Sequence, residues 1–295
     1  MNRKVIVRVK GGIGNQLFCY AAARRLALAN NAELVIDNVT GFVRDRQYFR
    51  HYALHHFQIP CRTATAAERL EPLERYRRAI IKWLSRRKAF SERRYMEQEK
   101  QEFDDRLLTL KIKGTLYLDG YWQSEGYFKD VKAKIREDLR IIPPIDTVNK
   151  EMAARIKDSM AVAVHFRFFD PPDVEAKHNT SASYYQRAIN LIEKKTYSPH
   201  YFLFSDHPEM AETLITMPKA RVTVISHNKG DENAYADLWL MTQCKHFIIA
   251  NSSFSWWGAW LGENADTIVI APNIVVRGIT SWGFKGLIPK RWLLV

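Results

Sequence analysis

The chain has 295 residues, of which 46% are hydrophobic and 26% charged, so it can form one large or two small domains with hydrophobic cores and is not globally disordered. Its 13 glycines and 11 prolines exclude collagen-like and Pro-rich sequences, and no apolar run reaches the ~18–20 residues of a membrane span or forms a signal-peptide core. The net charge is +13, and residues 1–140 contain 29 basic and 17 acidic residues, so nearly all of the excess lies in the first half.

This charge asymmetry indicates an anionic partner for the first half, such as a nucleic acid, a membrane surface or an acidic substrate. A solvated, Arg-rich helical surface is the alternative. The cysteines Cys19, Cys61 and Cys244 are widely spaced and form no C-x-x-C pair, so we expect free thiols in a reducing compartment. A folded, soluble and unexported protein is therefore expected.

The first forty residues predict a βαβ unit. Residues 3–9 form a β-branched strand, Gly11-Gly-Ile-Gly14 is a turn, residues 17–30 form an Ala-rich helix, and residues 33–37 form a second strand. Residues 64–110 show a helical, basic pattern without turn signals, and their charge is densest over residues 62–94, with 11 basic and 4 acidic residues. A further strand is predicted at residues 115–121.

A domain boundary is predicted at Ile141-Ile-Pro-Pro-Ile-Asp146. Two adjacent prolines forbid a helix or a central strand, and the charge balance changes at the same place. We therefore divide the chain into residues 1–142 and residues 143–295.

After this boundary, strands and helices alternate. The strands are predicted at residues 161–166, 201–205, 222–226, 247–250 and 267–271, and the helices at residues 182–195, 208–216, 233–243 and 253–261. This alternation predicts a parallel sheet with helices on both faces, and ligands bind such sheets at the carboxyl ends of the strands. Two such halves would enclose a deep cleft.

The turn Gly11-Gly-Ile-Gly-Asn-Gln16 lies between a strand and a helix, where backbone N–H groups and the helix dipole attract an anion. A nicotinamide dinucleotide site with Asp37 on a ribose is one alternative, but its fingerprint needs a third glycine where Leu17 stands. A plain tight turn is the other.

Residues 161–170 form a buried strand that ends in His165, Arg167 and Asp170. Alternation places His165 and Arg167 on one face, and a planar guanidinium suits a phosphate. The structural alternative is an Arg167–Asp170 ion pair that closes the strand.

Residues 250–260 follow another strand and open a helix. Ser252 and Ser253 are natural N-caps, and this helix start suits a second phosphate. Packing of the three tryptophans beneath the helix is the alternative. Leu203-Phe-Ser-Asp206 ends a further strand with a hydroxyl and a carboxylate, which suit a base edge or a ribose.

The sequence has no P-loop, no H-E-x-x-H and no G-x-S-x-G motif. It also has no D-x-D, the acidic pair that usually holds a metal against a nucleotide-sugar diphosphate.

The motifs together resemble glycosyltransferase family 11, the α-1,2-fucosyltransferases. They are Gly11-Gly-Ile-Gly-Asn-Gln16, Gly120-Tyr-Trp-Gln-Ser124, His165-Phe-Arg167, Phe204-Ser-Asp206, the block 237–261 and Leu287-Ile-Pro-Lys-Arg-Trp292. Their order and the long Ser-Ser-Phe-Ser-Trp-Trp run make the resemblance specific, and it covers essentially the whole chain.

The resemblance implies an α/β, GT-B-like fold of two facing Rossmann-like domains with parallel sheets. Residues 1–142 would be the basic, acceptor-side domain and residues 143–295 the GDP-fucose-binding domain. The implied reaction is inverting, metal-independent transfer of L-fucose from GDP-β-L-fucose to the 2-hydroxyl of a terminal galactose, in O-antigen or other surface-glycan synthesis. No cofactor or metal is implied, and the partners would be GDP-fucose and a β-galactoside oligosaccharide or lipid-linked glycan.

The resemblance also assigns roles to residues. Arg167 would hold the β-phosphate and stabilise the charge on departing GDP, His165 would support the ribose or phosphate, and Asp206 would bind the nucleoside. The other donor-binding residues would be Gly12, Gly14, Gln16, Ser252, Ser253 and Phe254. Asn15 and Gln16 would face the donor phosphates and the acceptor, and the catalytic residues would be Arg167, Asp170 and Asn15.

This chain departs from the family pattern, which is normally His-x-Arg-Arg-x-Asp, often with a glycine before the aspartate. Phe168 and Phe169 replace the second arginine and the small residue, and His207 stands where a second aspartate is usual. The first arginine is kept, as in the related protein O-fucosyltransferases. Asp170 is the candidate base for the acceptor proton, and a loosely ionic path without a dedicated base is the alternative.

Two other function classes remain as alternatives. A catalytically impaired relative would bind GDP-sugars without turnover. A basic nucleic-acid-binding protein is disfavoured because the motifs lie mainly in the near-neutral half and no nucleic-acid-binding motif is present, so no nucleic-acid partner is expected. The basic first half fits a membrane-associated, cytoplasmic enzyme in peripheral contact with the anionic inner face of a bacterial membrane.

Overall fold

A computed structural model describes residues 3–43, 45–46, 48–170, 178–215, 218–278 and 281–295. The chain forms two compact units: Met1–Ile141 with Lys285–Leu287, and Ile142–Phe284 with Ile288–Val295. The division lies one residue before the predicted boundary at residue 142. The prediction did not include the return of Lys285–Leu287 to the first unit, where the Gly286 carbonyl accepts a hydrogen bond from Ser124 Oγ at 2.6 Å.

The first unit is built on a five-stranded parallel sheet in the order β3-β2-β1-β5-β4. Its strands are β1 (Lys4–Arg8), β2 (Glu33–Asp37), β3 (Arg62–Thr63), β4 (Tyr95–Glu97) and β5 (Thr115–Asp119). Its helices are α1 (Ile13–Ala29), α2 (Glu74–Arg86), α3 (Arg106–Thr109) and α4 (Lys132–Asp138). The predicted βαβ start is confirmed as β1, α1 and β2.

Helix α1 is buried on almost every side, which explains its small and apolar composition. Two of its polar side chains share one acceptor: Tyr20 Oη and Arg24 Nε donate to Asp138 Oδ2 at 2.8 and 2.7 Å. Asp138 is 2% exposed, so this ion pair fixes α1 to α4 inside the unit.

The prediction of an uninterrupted helical pattern over residues 64–110 is wrong. Helix α2 occupies only Glu74–Arg86, and β4 and the short α3 follow it. Tyr95 and Met96 are buried because β4 pairs with β5, so a long-range strand contact overrides the local pattern here. Helix α2 also begins immediately after Leu73, whose φ of 68° is left-handed and cannot continue a helix.

The second unit is built on a six-stranded parallel sheet in the order β11-β10-β9-β6-β7-β8. Its strands are β6 (Met160–Phe166), β7 (Pro199–Ser205), β8 (Val222–Ile225), β9 (His246–Ile248), β10 (Val269–Ala271) and β11 (Leu293–Leu294). Its helices are α5 (Thr147–Lys157), α6 (Ala182–Lys195), α7 (Pro208–Thr213), α8 (Ala234–Thr242) and α9 (Ser253–Gly262).

Most of these elements match the predicted alternation. Helix α5 and strand β11 were not predicted, and residue 216, the predicted end of α7, lies outside the described residues. One face of β6, with Val162 and Val164, packs against α6 in the core. The other face carries His165, whose ring lies 5.2 Å from the Phe254 ring of α9.

The tryptophans of α9 belong to the core. Trp256, Trp257 and Trp260 are each 0% exposed, and their rings lie 5.0–6.3 Å apart. Trp292 joins them at 5.3 Å from Trp256. The tryptophans therefore pack beneath the helix, as the structural alternative for this run predicted. The first residues of α9 are not part of this packing and remain available to bind a ligand. Among the described residues, no helix has the length and apolarity needed to cross a membrane.

Candidate active site

The carboxyl ends of three adjacent strands carry the polar side chains of the second unit. Strand β6 pairs with β7 on one side and with β9 on the other. Arg167 and Asp170 follow β6, Asp206 follows β7, and Ser252 lies between β9 and α9. Parallel strands present their carboxyl ends at one edge of the sheet, so this edge brings together residues up to 85 positions apart in the chain.

Arg167 and Asp206 form an ion pair, with 2.5 Å between Arg167 Nη1 and Asp206 Oδ2. Their side chains are 23% and 25% exposed, so the pair is accessible to solvent. The alternative interpretation of a structural Arg167–Asp170 pair is wrong, since Arg167 pairs with the next strand. Asp206 Oδ1 also accepts a hydrogen bond from Phe168 N at 3.3 Å, which ties the two strand ends together.

Asp170 is held by the segment that begins at residue 178. His178 donates its backbone N–H to Asp170 Oδ2 at 2.7 Å, and its Nδ1 lies 2.8 Å from Asp170 Oδ1. Asn179 Oδ1 accepts hydrogen bonds from the backbone N–H groups of Phe169 and Asp170 at 2.6 and 3.1 Å. The carboxylate therefore has a defined orientation and a histidine ring as its neighbour.

Asn251 connects this loop to the end of β9. Its Nδ2 donates to the His178 carbonyl at 2.8 Å, and its Oδ1 accepts from Thr180 Oγ1 at 2.9 Å, with Asn251 only 3% exposed. Sequence reasoning missed His178, Asn179, Thr180 and Asn251 as parts of the site. The position of Asn251 directly after a buried strand was a usable signal, whereas the partners in residues 178–180 depend on tertiary contacts.

His165 is buried and neutral. It is 5% exposed, and its Nδ1 has no hydrogen-bond partner among the described residues. Burial, helped by the nearby Arg167 charge, lowers the pKa of His165 from 6.5 to about 3. A neutral imidazole can donate or accept one hydrogen bond at each nitrogen, so His165 can bind a polar ligand atom but cannot act as a cation near neutral pH.

The start of α9 has the geometry of an anion-binding helix terminus. Ser252 is the N-cap, with an extended backbone, and its Oγ accepts a hydrogen bond from Phe254 N at 3.3 Å. Ser252, Ser253 and Phe254 are all half-buried, so this end of α9 reaches the surface, whereas residues 255–260 are buried. The first-turn N–H groups lack intrahelical acceptors by construction and carry the positive end of the helix dipole.

The three residues that differ from the usual pattern, Phe168, Phe169 and His207, contact one another or Arg167. Phe168 packs on the core and lies edge-on to the His207 ring, with 5.8 Å between the ring centroids. The Arg167 guanidinium lies 5.2 Å from the Phe169 ring centroid, within cation–π range. The two aromatic replacements thus stabilise the end of β6 and the position of Arg167.

A second polar cluster lies between α5, α8 and the loop after β8. Asn228 Nδ2 donates to Asp237 Oδ1 at 2.8 Å and to Asn149 Oδ1 at 3.0 Å, and His227 Nε2 lies 3.1 Å from the same Asn149 oxygen. Burial raises the pKa of Asp237 to about 7, although the Asn228 hydrogen bond opposes this shift. Asp237 therefore titrates near neutral pH.

The glycine turn of the first unit also leads into a helix N-terminus. Gly11 has a φ of 75°, which glycine adopts without strain, and Gly12 is the N-cap of α1 with an extended backbone. Gly14 is buried in the first turn. A Cβ on Gly12 would lie 3.7 Å from the Arg50 guanidinium, so a cation stands beside this helix start.

Asn15 and Gln16 lie in the first turn of α1 but in different environments. Asn15 is half-buried, and its Oδ1 accepts a hydrogen bond from Gln123 Nε2 at 2.8 Å, which joins two of the sequence motifs. Gln16 is 0% exposed: its Nε2 donates to the carbonyls of Gly11 and His51 at 2.8 and 2.7 Å, and its Oε1 accepts from Ala53 N at 2.8 Å. This corrects the expected role of Gln16, which anchors the loop instead of facing a ligand.

The strand ends of the first unit hold a charged network that sequence reasoning missed. Asp119, at the end of β5, accepts hydrogen bonds from Lys10 Nζ and Tyr95 Oη, both at 2.7 Å, and lies 3.4 Å from Arg8 Nη1. Burial alone would raise the pKa of Asp119, but the neighbouring charges of Lys10 and Arg8 hold it down at about 2.

Asp37, the ribose ligand of the dinucleotide alternative, is not available to a ligand. It is 3% exposed, and its Oδ1 accepts the backbone N–H groups of Val39 and Thr40 at 3.2 and 2.9 Å. The dinucleotide interpretation therefore fails on structure as well as on the missing third glycine. Within the described ranges, no group of three His, Cys, Asp or Glu side chains is arranged to hold a metal ion.

The sequence profile described as "Glycosyl transferase family 11" matches residues 4–277. This chain belongs to that family. This chain is 30% identical over 278 residues to an alpha-1,2-colitosyltransferase of Escherichia coli, with 91% of each chain covered. It is 29% identical over 290 residues to the O-antigen biosynthesis glycosyltransferase WbnK of Escherichia coli, covering 90% of this chain and 92% of the relative. The predicted family is confirmed, and the chain is a glycosyltransferase.

Solved structures confirm the fold class. The α-1,6-fucosyltransferase NodZ, soaked with GDP-fucose, matches with a TM-score of 0.51 at 16% identity, over 88% of this family 11 chain and 93% of NodZ. A mutant of Arabidopsis thaliana FUT1 in complex with GDP matches with a TM-score of 0.54 at 12% identity, over 95% and 72% of the two chains. The predicted GT-B-like class, with two parallel-sheet α/β domains, is therefore correct.

Proposed function

We propose that this glycosyltransferase transfers L-fucose from GDP-β-L-fucose to the 2-hydroxyl of a terminal galactose, with inversion and without a metal ion. The observation that carries the proposal is the edge of the second sheet. Arg167 follows β6 there, and the N-terminus of α9 follows β9, which pairs with β6. A guanidinium and a helix N-terminus are the two protein groups best suited to a diphosphate without a metal. The relatives that bind GDP or GDP-fucose on the same fold support this donor class.

The donor-binding residues of the second unit have roles that their geometry permits. Arg167 would leave or share its pairing with Asp206 to bind the β-phosphate and stabilise the charge on the departing GDP. His165 is neutral, its Nδ1 has no hydrogen-bond partner among the described residues, and it would bind a ribose or phosphate oxygen. Ser252, Ser253 and Phe254 would place the first-turn N–H groups of α9 against the pyrophosphate.

Asp170 is proposed as the base that accepts the proton of the acceptor hydroxyl. The carboxylate is held in place by His178 and follows the same strand as Arg167. An inverting displacement needs such a base on the side of the sugar opposite the leaving diphosphate. Asn15, at the start of α1 and hydrogen-bonded to Gln123, is proposed to contact the acceptor.

The α-1,2 linkage is supported by the colitosyltransferase relative, and synthesis of O-antigen or another surface glycan is supported by WbnK. The acceptor would be a terminal β-galactoside on an oligosaccharide or lipid-linked glycan. Because the first relative is named for colitose, a GDP-activated colitose is the competing donor.

The test is release of GDP from GDP-fucose and from the corresponding colitose donor, with and without a panel of β-galactosides, each with and without EDTA. We expect acceptor-dependent, EDTA-resistant release with GDP-fucose, and NMR of the product should show the new bond at O2 of galactose. Preferential turnover of the colitose donor would overturn the fucose assignment. Binding of GDP without any turnover would identify a catalytically impaired relative, and loss of release on EDTA treatment would refute metal independence. Arg167→Ala serves as the matched control that removes the phosphate ligand.

A further inference from the structure

Helix α2 presents its apolar face to solvent. Leu73, Tyr76, Ile80, Trp83 and Leu84 are 64%, 64%, 58%, 52% and 48% exposed. Leu73 lies just before the helix, and the spacing of four, three and one residues from Tyr76 to Leu84 places the other four side chains in a single stripe, roughly 100° wide, along the helix. An exposed stripe of large apolar side chains of this kind marks an interaction surface.

The opposite, polar face of α2 is the one that contacts the body of the first unit. Ser85 is buried, and its Oγ accepts a hydrogen bond from Tyr95 N in β4 at 3.0 Å. Lys82 forms an ion pair with Glu97 at the end of β4, and Arg78 Nη2 donates to Thr40 Oγ1 at 2.8 Å. Amphipathic helices of globular domains normally have the reverse orientation, with the apolar face packed on the core. The inversion leaves the apolar stripe exposed to solvent.

Basic side chains surround the stripe. Residues 73–88 contain seven arginines and lysines and one acidic residue. Arg75, Arg77, Arg87 and Lys88 are exposed, and the Arg87 guanidinium lies 3.4 Å from the Trp83 ring centroid. This helix is the centre of the positive charge in the first half of the chain. A surface that is both apolar and strongly cationic matches the headgroup region of an anionic bilayer.

We propose that α2 docks the enzyme on an anionic phospholipid membrane, with Ile80 and Trp83 inserted at the headgroup–acyl boundary and the flanking arginines on lipid phosphates. A second copy of the chain is a poorer occupant because two such helices would bring like charges together. A nucleic acid would be attracted by the charge but would leave Leu73, Ile80 and Leu84 in water. The inference does not depend on the identity of the donor or the acceptor.

The test is flotation of the full chain with vesicles of phosphatidylcholine alone or mixed with phosphatidylglycerol, at low and high salt. We expect binding to the anionic vesicles only, weakened by salt because the arginine contacts are screened. Ile80→Ser/Trp83→Ser should reduce the bound fraction about ten-fold or more, since both insertions are lost. The matched control is Ile145→Ser/Tyr197→Ser, which removes two apolar side chains that are 89% and 91% exposed in the second unit and should not change binding.

Binding that is equal for neutral and anionic vesicles, or unchanged by Ile80→Ser/Trp83→Ser, would overturn the proposal. So would a wild-type dimer in light scattering that this double variant converts to a monomer, because the occupant would then be a second copy. Circular dichroism melts confirm that the variants fold. Turnover of a water-soluble β-galactoside without vesicles should be the same for wild type and double variant, so a failure of the proposed reaction is seen separately from a failure to bind membranes.

Discussion

Arg167 and Asp206 are 39 residues apart in the chain, and their side chains meet at 2.5 Å because β6 and β7 are neighbours in the sheet. In the proposed donor site Arg167 would bind the β-phosphate of GDP-fucose, and Asp206 would bind its nucleoside. Without donor they neutralise each other. The pair therefore keeps an accessible guanidinium oriented at the strand end, and donor binding must compete with Asp206 for it.

Removal of Arg167 should damage the chemical step. Arg167→Ala is expected to lower kcat about 10²–10³-fold, because the charge on departing GDP loses its main stabilising group. Asp206→Asn should instead change KM for the donor and leave kcat within about three-fold, since it frees Arg167 and weakens nucleoside binding. Steady-state GDP release with varied donor separates the two. A larger kcat loss for Asp206→Asn than for Arg167→Ala would contradict these roles.

Variants of Asp170 and His178 test whether the Asp170 carboxylate acts as a base or is only structural. Asp170→Asn keeps the shape of the side chain but removes the proton acceptor, and we expect kcat to fall about 10²–10⁴-fold with little change in melting temperature. His178→Ala removes the ring that orients Asp170 and should cost less, about ten-fold. If Asp170→Asn retained near-wild-type kcat, the path without a dedicated base would be the correct one.

The buried His165 makes the stability of the protein sensitive to acid. Its folded-state pKa, about 3, lies below the ordinary value of 6.5, so the unfolded chain binds a proton first as the pH falls. The stabilisation is complete above pH ~6.5 and is lost progressively below it, at ~1.4 kcal/mol per pH unit. His165→Gln should show a correspondingly shallower acid dependence in urea unfolding between neutral pH and about pH 4.5. Parallel curves for the two proteins would show that His165 does not titrate this way.

Asp237 should act in the opposite direction. Its folded-state pKa, about 7, lies above the ordinary 3.8, so the folded protein retains a proton that the unfolded chain releases. The stability that Asp237 contributes is fully present below its ordinary pKa of 3.8. It decreases by ~1.4 kcal/mol per pH unit as the pH rises from there to about 7. Asp237→Asn should remove that decrease, so its stability relative to wild type rises with pH. Asn228→Ala removes the hydrogen bond that lowers this pKa and should move the transition to higher pH.

Substitutions of Gln16 and of its neighbour Asn15 should have different effects: the first should lower stability, and the second should lower activity. Gln16→Leu removes the three hydrogen bonds that this buried side chain makes to the backbone groups of Gly11, His51 and Ala53, and we expect a loss of ~2–4 kcal/mol in the free energy of unfolding. Asn15→Ala, at a half-buried position with one side-chain partner, should change stability by ~1 kcal/mol or less while reducing transfer to the acceptor. A stable Gln16→Leu protein with impaired donor binding would restore the ligand-facing role.

Local sequence patterns were enough to predict the class of architecture and the positions of several candidate site residues. Alternating strand and helix patterns predicted two parallel-sheet units, and polar residues directly after buried strands marked Arg167, Asp170, Asp206 and Ser252. These signals are local, because burial periodicity and helix capping are set by residues within a few positions of each other.

Which of these residues contact one another depends on how the strands pair in the folded protein. Strand order depends on pairing between distant segments, so Arg167 meets Asp206 instead of Asp170, and His178 and Asn251 enter the site. The same reason explains the error over residues 64–110, where pairing with β5 makes a strand of Tyr95–Glu97. The orientation of α2 has the same cause. Its amphipathic pattern is local, but the contacts of Lys82 with Glu97 and of Arg78 with Thr40 direct the polar face of the helix toward the unit.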